Sequence, residues 1–138
     1  MIVIDATGHV AGRLATAVAK KLLQGETVIV VNAEKAIVSG DRWTVLEHYE
    51  VKRYRGDVRS GPFFPRRADL ILKRTVRGML PYDHTCGRDA YHRLKCYVGV
   101  PKEYADIKAE KVEAALRLTS NRFVTLSEIA GHMGSKVK

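Results

Sequence analysis

The sequence predicts an α/β fold with a parallel β-sheet, and three observations support this prediction. Residues 2–5, IVID, and residues 27–31, TVIVV, are short apolar runs typical of strands buried in a sheet. The segment 11–24 between them has apolar residues at helical spacing. A strand, a helix and a second strand joined by short connections favour parallel pairing with a right-handed crossover.

The first helix and the elements that follow it have recognisable ends. Five apolar residues of the segment 11–24 share one helical face: Ala11, Leu14, Ala15, Val18 and Leu22. Gly25 ends this helix. Residues 37–39, IVS, are a weaker third strand, and Gly40 with Asp41 opens a helix over about residues 42–53.

The rest of the chain is predicted to be a loop followed mainly by helices. Residues 54–66 contain two glycines and two prolines and form the loop. The later elements are a helix over 67–79 that Gly78 and Pro81 end, a helix over 88–95, a strand over 96–100, a helix near 108–118 and a short helix that ends near Gly134. Thr125 and Glu128 form the capping box that opens the last helix.

Length and composition indicate a single globular domain. The 138 residues are 46% hydrophobic with a mean hydropathy of −0.18, which is enough to build a core. No apolar run approaches the roughly 18 residues that a membrane span needs. The N-terminus, MIVIDATGHV, lacks the basic segment of a secretory signal. We therefore expect a cytoplasmic protein in which Cys86 and Cys96 are reduced thiols.

The chain is strongly basic, and its charge is concentrated in one segment. It has 24 Lys and Arg against 15 Asp and Glu, a net charge of +9 and a pI of about 9.8. Residues 52–77 contain nine basic residues: Lys52, Arg53, Arg55, Arg59, Arg66, Arg67, Lys73, Arg74 and Arg77. Only Asp57 and Asp69 oppose them, so the segment carries a net +7. This pattern favours an acidic partner, which is a nucleic acid or an anionic membrane.

The stretch FFPRRADLILKRTVRGMLP, residues 63–81, is predicted to pack one helical face and expose the other. The packed side has Ala68, Ile71, Leu72, Thr75, Val76 and Met79. The exposed side has Arg66, Arg67, Lys73, Arg74 and Arg77, with Asp69 as its one acid. Because one acid cannot neutralise five cations, a polyanion-binding surface is favoured over a solvated helix face.

RNA suits this surface better than DNA. The basic residues lie on a loop and two helices, and not on a helix-turn-helix or finger motif. Tyr49, Tyr54, Phe63 and Phe64 lie among them, and aromatic rings beside arginine suit unstacked bases. Phe63 and Phe64 are equally compatible with core packing, and the sequence leaves this choice open.

A glycine-rich turn is the feature that would suit a nucleotide-dependent enzyme. The stretch IDATGHVAGRLA has the strand, turn and helix layout of a phosphate cradle. However, Gly8 and Gly12 fit neither the P-loop nor the dinucleotide-binding pattern. We expect these glycines to allow a tight turn and close helix packing.

Zinc binding and attachment to a membrane surface are both disfavoured by the sequence. His84, Cys86, His92 and Cys96 are zinc-ligand types, but their spacing matches no usual zinc pattern. We expect a buried Cys96 and surface histidines instead. No helix combines a basic face with exposed large apolar residues, which disfavours a membrane surface. We predict no catalytic residue, metal ion or cofactor.

Three separated blocks of the chain resemble the universal L-thirteen family of large-subunit ribosomal proteins. They are DATGHVAGRLATAVAKKLLQGETVIVVNAEKAIVSG, GPFFPRRADLILKRTVRGMLP and GRDAYHRLKCYVGVP, and the likeness covers about residues 1–101. The second block is similar to the archaeal and eukaryotic branch, and the lack of a long C-terminal extension favours the archaeal type. Residues 102–138 are expected to form a mostly helical tail of the same domain.

The resemblance implies a fold, a function and partners. The fold would be a three-layer α/β/α arrangement around a four-stranded, mainly parallel sheet. The protein would be a non-enzymatic constituent of the large subunit that binds its rRNA and supports subunit assembly and translation. Its partners would be rRNA and neighbouring ribosomal proteins in the cytoplasm, with no membrane, cofactor or small-molecule substrate.

The family's basic motifs correspond here to Gly12–Arg13, Asn32–Lys35, Pro65–Arg67 and Arg77–Gly78. We predict that the nine basic residues of the segment 52–77 are the main RNA clamp. Secondary contacts are predicted at Arg13, Arg42, Arg88 and Arg93, and the family motif adds Lys35.

Overall fold

The computed structural model describes residues 1–116 and 121–136, in which strands and helices alternate along the first half of the chain. The strands are β1 (Ile2–Asp5), β2 (Val28–Val31), β3 (Ile37–Ser39), β4 (Leu94–Cys96) and β5 (Phe123–Thr125). The helices are α1 (Ala11–Leu23), α2 (Arg42–Tyr54), α3 (Ala68–Arg77), α4 (Thr85–His92), α5 (Glu113–Leu116) and α6 (Leu126–His132). Short 3-10 turns occupy Ala33–Lys35 and Lys102–Tyr104.

A parallel sheet of three strands forms the centre of the fold. Its order is β1, β2, β4, so that β2 pairs on both sides. Ile2 pairs with Val28, and Val28 pairs with Leu94, all in parallel register. All four residues of β2 are buried, as its unbroken apolar run predicts. The α/β class and the parallel sheet are therefore confirmed.

The predicted fourth strand of that sheet is not confirmed. β3 pairs antiparallel with β5 in a separate two-stranded sheet, with Ile37 opposite Thr125 and Ser39 opposite Phe123. A bridge between Val10 and Ile37 connects β3 to the turn that precedes α1. The sequence did not predict β5, so the tail, which was expected to be mostly helical, also contributes a strand.

The two faces of the parallel sheet are covered differently. Ile4, Val28 and Val30 point into the main core, to which every helix named above contributes a buried residue. Val3, Ile29 and Val31 point to the opposite side and form a smaller cluster. That cluster is covered by Tyr97, Tyr104 and Ala109. Within the described residues, the second face is thus covered by irregular chain and a 3-10 turn, and not by the helical layer of an α/β/α fold.

Several element ends differ from the predicted ones for identifiable reasons. α4 begins at Thr85 instead of residue 88, because Gly87 lets the helix approach the turn before it. A Cβ atom at Gly87 would collide with the carbonyl of Pro81. β4 ends at Cys96 instead of residue 100, since Gly99 turns the chain with φ 69°.

The C-terminal helices are shorter than predicted. Of the helix expected near 108–118, only Glu113–Leu116 is helical, and residues 117–118 lie outside the described part of the chain. The final helix ends at His132 instead of near Gly134. Its capping box is confirmed, because the Glu128 amide donates to Thr125 Oγ1 at 3.2 Å.

Candidate nucleic-acid interface

α3 packs one side into the core and keeps a basic side at the surface. Its buried apolar residues are Ala68, Ile71, Leu72 and Val76, as the helical wheel predicts. Lys73, Arg74 and Arg77 remain partly exposed on the other side. Met79 lies beyond the end of the helix and is 40% exposed, so the prediction that it packs in the core was wrong.

Asp69 is buried at the start of α3, and the prediction that it lies on the exposed basic face was wrong. Arg67 donates two hydrogen bonds to the Asp69 carboxylate, from Nη2 to Oδ2 at 2.8 Å and from Nε to Oδ1 at 3.2 Å. This bidentate pair and the helix N-terminus together stabilise the buried charge. The Arg67 side chain stays 52% exposed, but its charge is largely matched within the chain.

Lys73 and Arg77 lie over tyrosine rings. Lys73 Nζ is 4.9 Å from the ring centre of Tyr91, and Arg77 Cζ is 4.8 Å from that of Tyr82. The two rings meet edge to face at 5.5 Å. A ring attracts a cation through its quadrupole but carries no net charge. Both side chains are therefore held in place while their full positive charge still faces outward.

A second aromatic group joins α2, the loop and α3. The rings of Tyr49 and Phe64 are 6.0 Å apart, and Lys52 Nζ lies 4.8 Å and 5.4 Å from their respective centres. Arg74 Cζ is 5.9 Å from the Phe64 ring. Burial lowers the pKa of Lys52 and raises the pKa of Tyr49. These contacts fix the relative positions of three basic segments.

The structure separates the two phenylalanines whose roles the sequence left open. Phe64 is half-buried and packs against the main core. Phe63 is 68% exposed, although its carbonyl accepts a hydrogen bond from Arg74 Nη2 at 3.2 Å. Phe64 is thus a packing residue, and Phe63 is available to a ligand.

The loop between α2 and α3 closes as a small hairpin. Asp57 and Gly61 exchange backbone hydrogen bonds of 3.2 Å and 3.0 Å. Gly56 has φ 100°, and a Cβ atom there would collide with the Gly61 backbone, so this turn requires glycine. Arg55, Arg59 and Arg66 are among the arginines exposed along the loop. With Lys52, Arg53, Arg67, Lys73, Arg74 and Arg77 they form what we call the basic surface.

The predicted secondary contacts are scattered around the fold. Arg13 and Lys35 are exposed. Arg42 Nε is 3.9 Å from a Glu128 carboxylate oxygen, and both side chains are largely in solvent. Arg88 is exposed, with Nη2 3.5 Å from the Asp83 carbonyl. These residues lie on different elements, Arg13 on α1, Arg42 on α2 and Arg88 on α4.

Arg93 is bound inside the protein. Its Nη2 donates to the carbonyl of Leu22 at 3.0 Å, at the C-terminus of α1, where a cation is favourable. Its Nε is buried and has no hydrogen-bond partner among the described residues. These contacts account for Arg93 within the fold.

A polar cluster at the carboxyl ends of β1 and β2 is satisfied by the chain itself. Asp5 Oδ1 accepts hydrogen bonds from Asn32 Nδ2 at 2.9 Å and from Thr7 Oγ1 at 2.7 Å. Burial alone would raise the pKa of Asp5, but these hydrogen bonds outweigh it and lower the pKa. Asn32 has φ 54°, a left-handed conformation that asparagine tolerates better than most residues.

The family motif Asn32–Lys35 has mainly a structural role in this cluster. Glu34 Oε2 accepts a hydrogen bond from the Gly99 amide at 3.0 Å, which ties the turn after β2 to the turn after β4. Ala33 is buried. Of the four residues, Lys35 alone is exposed.

His9 is a structural residue that the sequence did not single out. It is fully buried, and both ring nitrogens are used. Nδ1 lies 3.0 Å from the Thr7 carbonyl, and the Val112 amide donates to Nε2 at 3.0 Å. This geometry requires a neutral ring with its proton on Nδ1. The only sequence signal was a histidine within the glycine-rich turn, which does not reveal a partner about a hundred residues away.

The glycine turn shows tight backbone geometry but not the expected packing. Gly8 has φ 71°, as a tight turn after β1 requires. The close packing expected at Gly12 is not found in the described part of the chain, because a Cβ atom there would meet none of its atoms within 4 Å.

The structure offers no support for a zinc site or a membrane span in the residues it describes. No three His, Cys, Asp or Glu side chains of this part come together as metal ligands. Cys96 is half-buried and Cys86 is exposed. Burial raises the pKa of the Cys96 thiol to about 12. Across the same residues, no helix is both long enough and apolar enough to traverse a bilayer.

Comparison with known proteins identifies a single family. The family model described as Ribosomal protein L13 matches residues 1–103. The chain is 54% identical over 138 residues to the large ribosomal subunit protein uL13 of Methanococcoides burtonii, with 99% of each chain covered. The uL13 of Methanosarcina barkeri is 52% identical over 139 residues, again with 99% of each covered. The uL13 of Archaeoglobus fulgidus is 49% identical over 135 residues, which cover 96% of this chain and 86% of the relative.

Proposed function

The chain belongs to the ribosomal protein L13 family, and on this basis we propose a task for its basic surface. The family consists of structural proteins of the ribosome and not of enzymes. The chain is accordingly a ribosomal structural protein of archaeal type, and archaeal ribosomes are cytoplasmic. We propose that it binds large-subunit rRNA through the basic surface and thereby supports subunit assembly and translation.

The observation that supports this proposal most strongly is how few acidic side chains of the described residues pair with the cations of the basic surface. Nine cations and two acids lie in residues 52–77, and the acid Asp69 is buried and already held by Arg67. Lys52, Lys73 and Arg77 lie over aromatic rings, which leave their charge intact. So many like charges side by side repel one another, and a polyanion offsets that repulsion.

Affinity is expected to come mainly from the release of counterions. Each Lys or Arg that neutralises a phosphate displaces condensed cations, so log K falls by about 0.7–0.9 for each unit of log salt per phosphate. Six residues of the loop and α3 are at least partly exposed and have no carboxylate partner among the described residues: Arg55, Arg59, Arg66, Lys73, Arg74 and Arg77. If each binds one phosphate, the slope is about −4 to −5.

Specificity is expected to come from the shape of the RNA. An A-form duplex hides its major groove from side chains, so a folded rRNA is recognised through the arrangement of its phosphates and its unpaired bases. The aromatic contacts of Tyr49, Phe64 and Tyr91 hold the cations of α2 and α3 at fixed separations. A rigid set of cations selects an RNA whose phosphates have matching spacing.

Neighbouring ribosomal proteins are proposed as further partners. The outward face of α2 has Trp43 and Tyr54 exposed at 73% and 67%. Glu47 and Glu50 lie on the same face at helical spacing, and their carboxylates disfavour RNA phosphate there.

The test of RNA binding is a titration of the purified protein with large-subunit rRNA across a salt series, with tRNA as competitor. We expect tight binding that survives excess tRNA, with a slope of at least −4 in log K against log salt. Weak binding that tRNA abolishes would show that the basic surface attracts any polyanion, and it would refute specific rRNA recognition.

A further inference from the structure

A groove of about 340 Å³ opens between the loop and α3, and both apolar rings and arginine side chains line it. Its volume is at the small end of ligand sites, which span roughly 300–1,000 Å³. The residues that matter for its chemistry are Phe63, Phe64, Leu70, Arg74, Arg77 and Tyr91. No acidic side chain is among the described residues that line it.

Phe63 lines this groove, and packing within the protein does not account for the position of its ring. Phe64 beside it packs against Tyr49, but Phe63 is 68% exposed. Its backbone is nevertheless anchored, since Arg74 donates to its carbonyl at 3.2 Å. Leu70 across the groove is also 42% exposed. The groove therefore presents a positioned aromatic ring and an apolar wall to the solvent.

Cations surround these apolar walls. Arg74 and Arg77 line the groove themselves, and Lys73 Nζ lies 4.9 Å from the ring centre of Tyr91. Rings flanked by arginines are the combination with which proteins bind unpaired nucleotides, since a base stacks on the ring and its phosphates meet the cations. An apolar protein side chain would contact the rings but not the cations, and an isolated phosphate would contact the cations but not the rings.

We infer that the groove between Phe63 and Tyr91 receives one unstacked RNA base, with Phe63 as its stacking partner and with Arg74 and Arg77 on the adjoining phosphates. This inference rests on the proposed function, because it assumes that the basic surface binds rRNA. It adds a contact that does not depend on charge. The basic residues supply the salt-dependent affinity, and the groove selects an RNA with a base free to leave its stack.

The experiment compares Phe63→Leu and Phe63→Trp with the unmodified protein in rRNA titrations at several salt concentrations. Leucine keeps an apolar side chain but has no ring, so we expect it to weaken binding by about tenfold. The salt slope is expected to stay unchanged, because no charge is lost. Tryptophan keeps a ring and is expected to retain affinity. Val58→Ala is the matched control, since Val58 is 90% exposed on the same loop and does not line the groove.

The outcomes separate this inference from the function on which it rests. If Phe63→Leu binds within twofold of the unmodified protein and the salt slope remains steep, the groove assignment is wrong and rRNA binding stands. If Phe63→Leu binds free rRNA normally but enters subunits poorly in the presence of other ribosomal proteins, the groove contacts protein and the inference is again wrong. If the unmodified protein shows weak binding that tRNA abolishes, both proposals fail together.

Discussion

The basic surface and the polar cluster at the carboxyl ends of β1 and β2 differ in whether their polar side chains bind groups of the same chain. In the cluster, Asp5, Asn32, Glu34 and His9 all bind groups of the same chain at 2.9–3.0 Å. On the basic surface, among the residues that the structure describes, one arginine, Arg67, is matched by a carboxylate. The other cations contact aromatic rings, a carbonyl or solvent.

This difference distinguishes residues that stabilise the fold from residues that remain available to bind an external partner. A buried polar group whose bonds are complete contributes to stability, and its loss leaves other groups unsatisfied. An exposed cation held by a ring adds little to stability but keeps its charge for an external anion. Substitutions in the cluster should therefore change stability without changing RNA binding, and substitutions on the basic surface other than at Arg67, which pairs with the buried Asp69, should do the reverse.

The largest effect on stability is expected at His9. His9→Leu would leave the Val112 amide and the Thr7 carbonyl without their partner, at a cost of about 2–4 kcal/mol in the free energy of unfolding. Urea unfolding measures this cost, and His92→Leu on an exposed site should stay within about 0.5 kcal/mol. A His9 variant as stable as the unmodified protein would contradict the structural role.

A smaller effect is expected at Arg93, which the sequence grouped with the RNA contacts. Arg93→Gln should lower the free energy of unfolding by about 1–2 kcal/mol, because it removes a charged hydrogen bond to the end of α1. The matched variant Arg88→Gln alters an exposed arginine and should leave stability unchanged. The structural role of Arg93 is wrong if Arg93→Gln flattens the salt slope of RNA binding and leaves stability intact.

The smallest effect concerns pH and Asp5. Its pKa in the folded state lies below the ordinary value of 3.8, so its contribution to stability is complete above that value and is lost as the pH falls further. The carboxyl is partly exposed, which limits the effect to less than about 1 kcal/mol. Urea unfolding between pH 3 and 7 should show a stability advantage over Asp5→Asn that is constant at neutral pH and shrinks below about pH 4. An advantage that persists unchanged at pH 3 would rule this out.

Local patterns predicted the parts of the fold that depend on neighbouring residues. The bounds of β1 and β3 and the capping box at Thr125 agree with the prediction, since an apolar run or a cap is complete within a few residues. The sequence did not predict β5, because only Val124 of its three residues is buried and its partner β3 lies far away in the sequence. The separate β3–β5 sheet could not be inferred for the same reason.

The charge of the candidate site could be predicted from the sequence, but the contacts between its side chains could not. The net charge of residues 52–77 and the two faces of α3 follow from composition and helical spacing. The pair between Arg67 and Asp69 and the internal hydrogen bond of Arg93 depend on where side chains meet in space. Sequence spacing therefore assigned these arginines to RNA without revealing their partners inside the chain.

The most direct test of rRNA binding by the basic surface compares two charge-matched triple variants in rRNA titrations across a salt series. One changes Arg55, Arg59 and Arg66 to glutamine on the basic surface, and the other changes the exposed Lys20, Lys102 and Lys108 to glutamine elsewhere. Both remove three positive charges. We expect the first to reduce the slope of log K against log salt by about 2–3 and to weaken binding strongly, and the second to leave the slope nearly unchanged. Equal losses in both variants, or no loss in the first, would contradict the claim that the basic surface holds the rRNA.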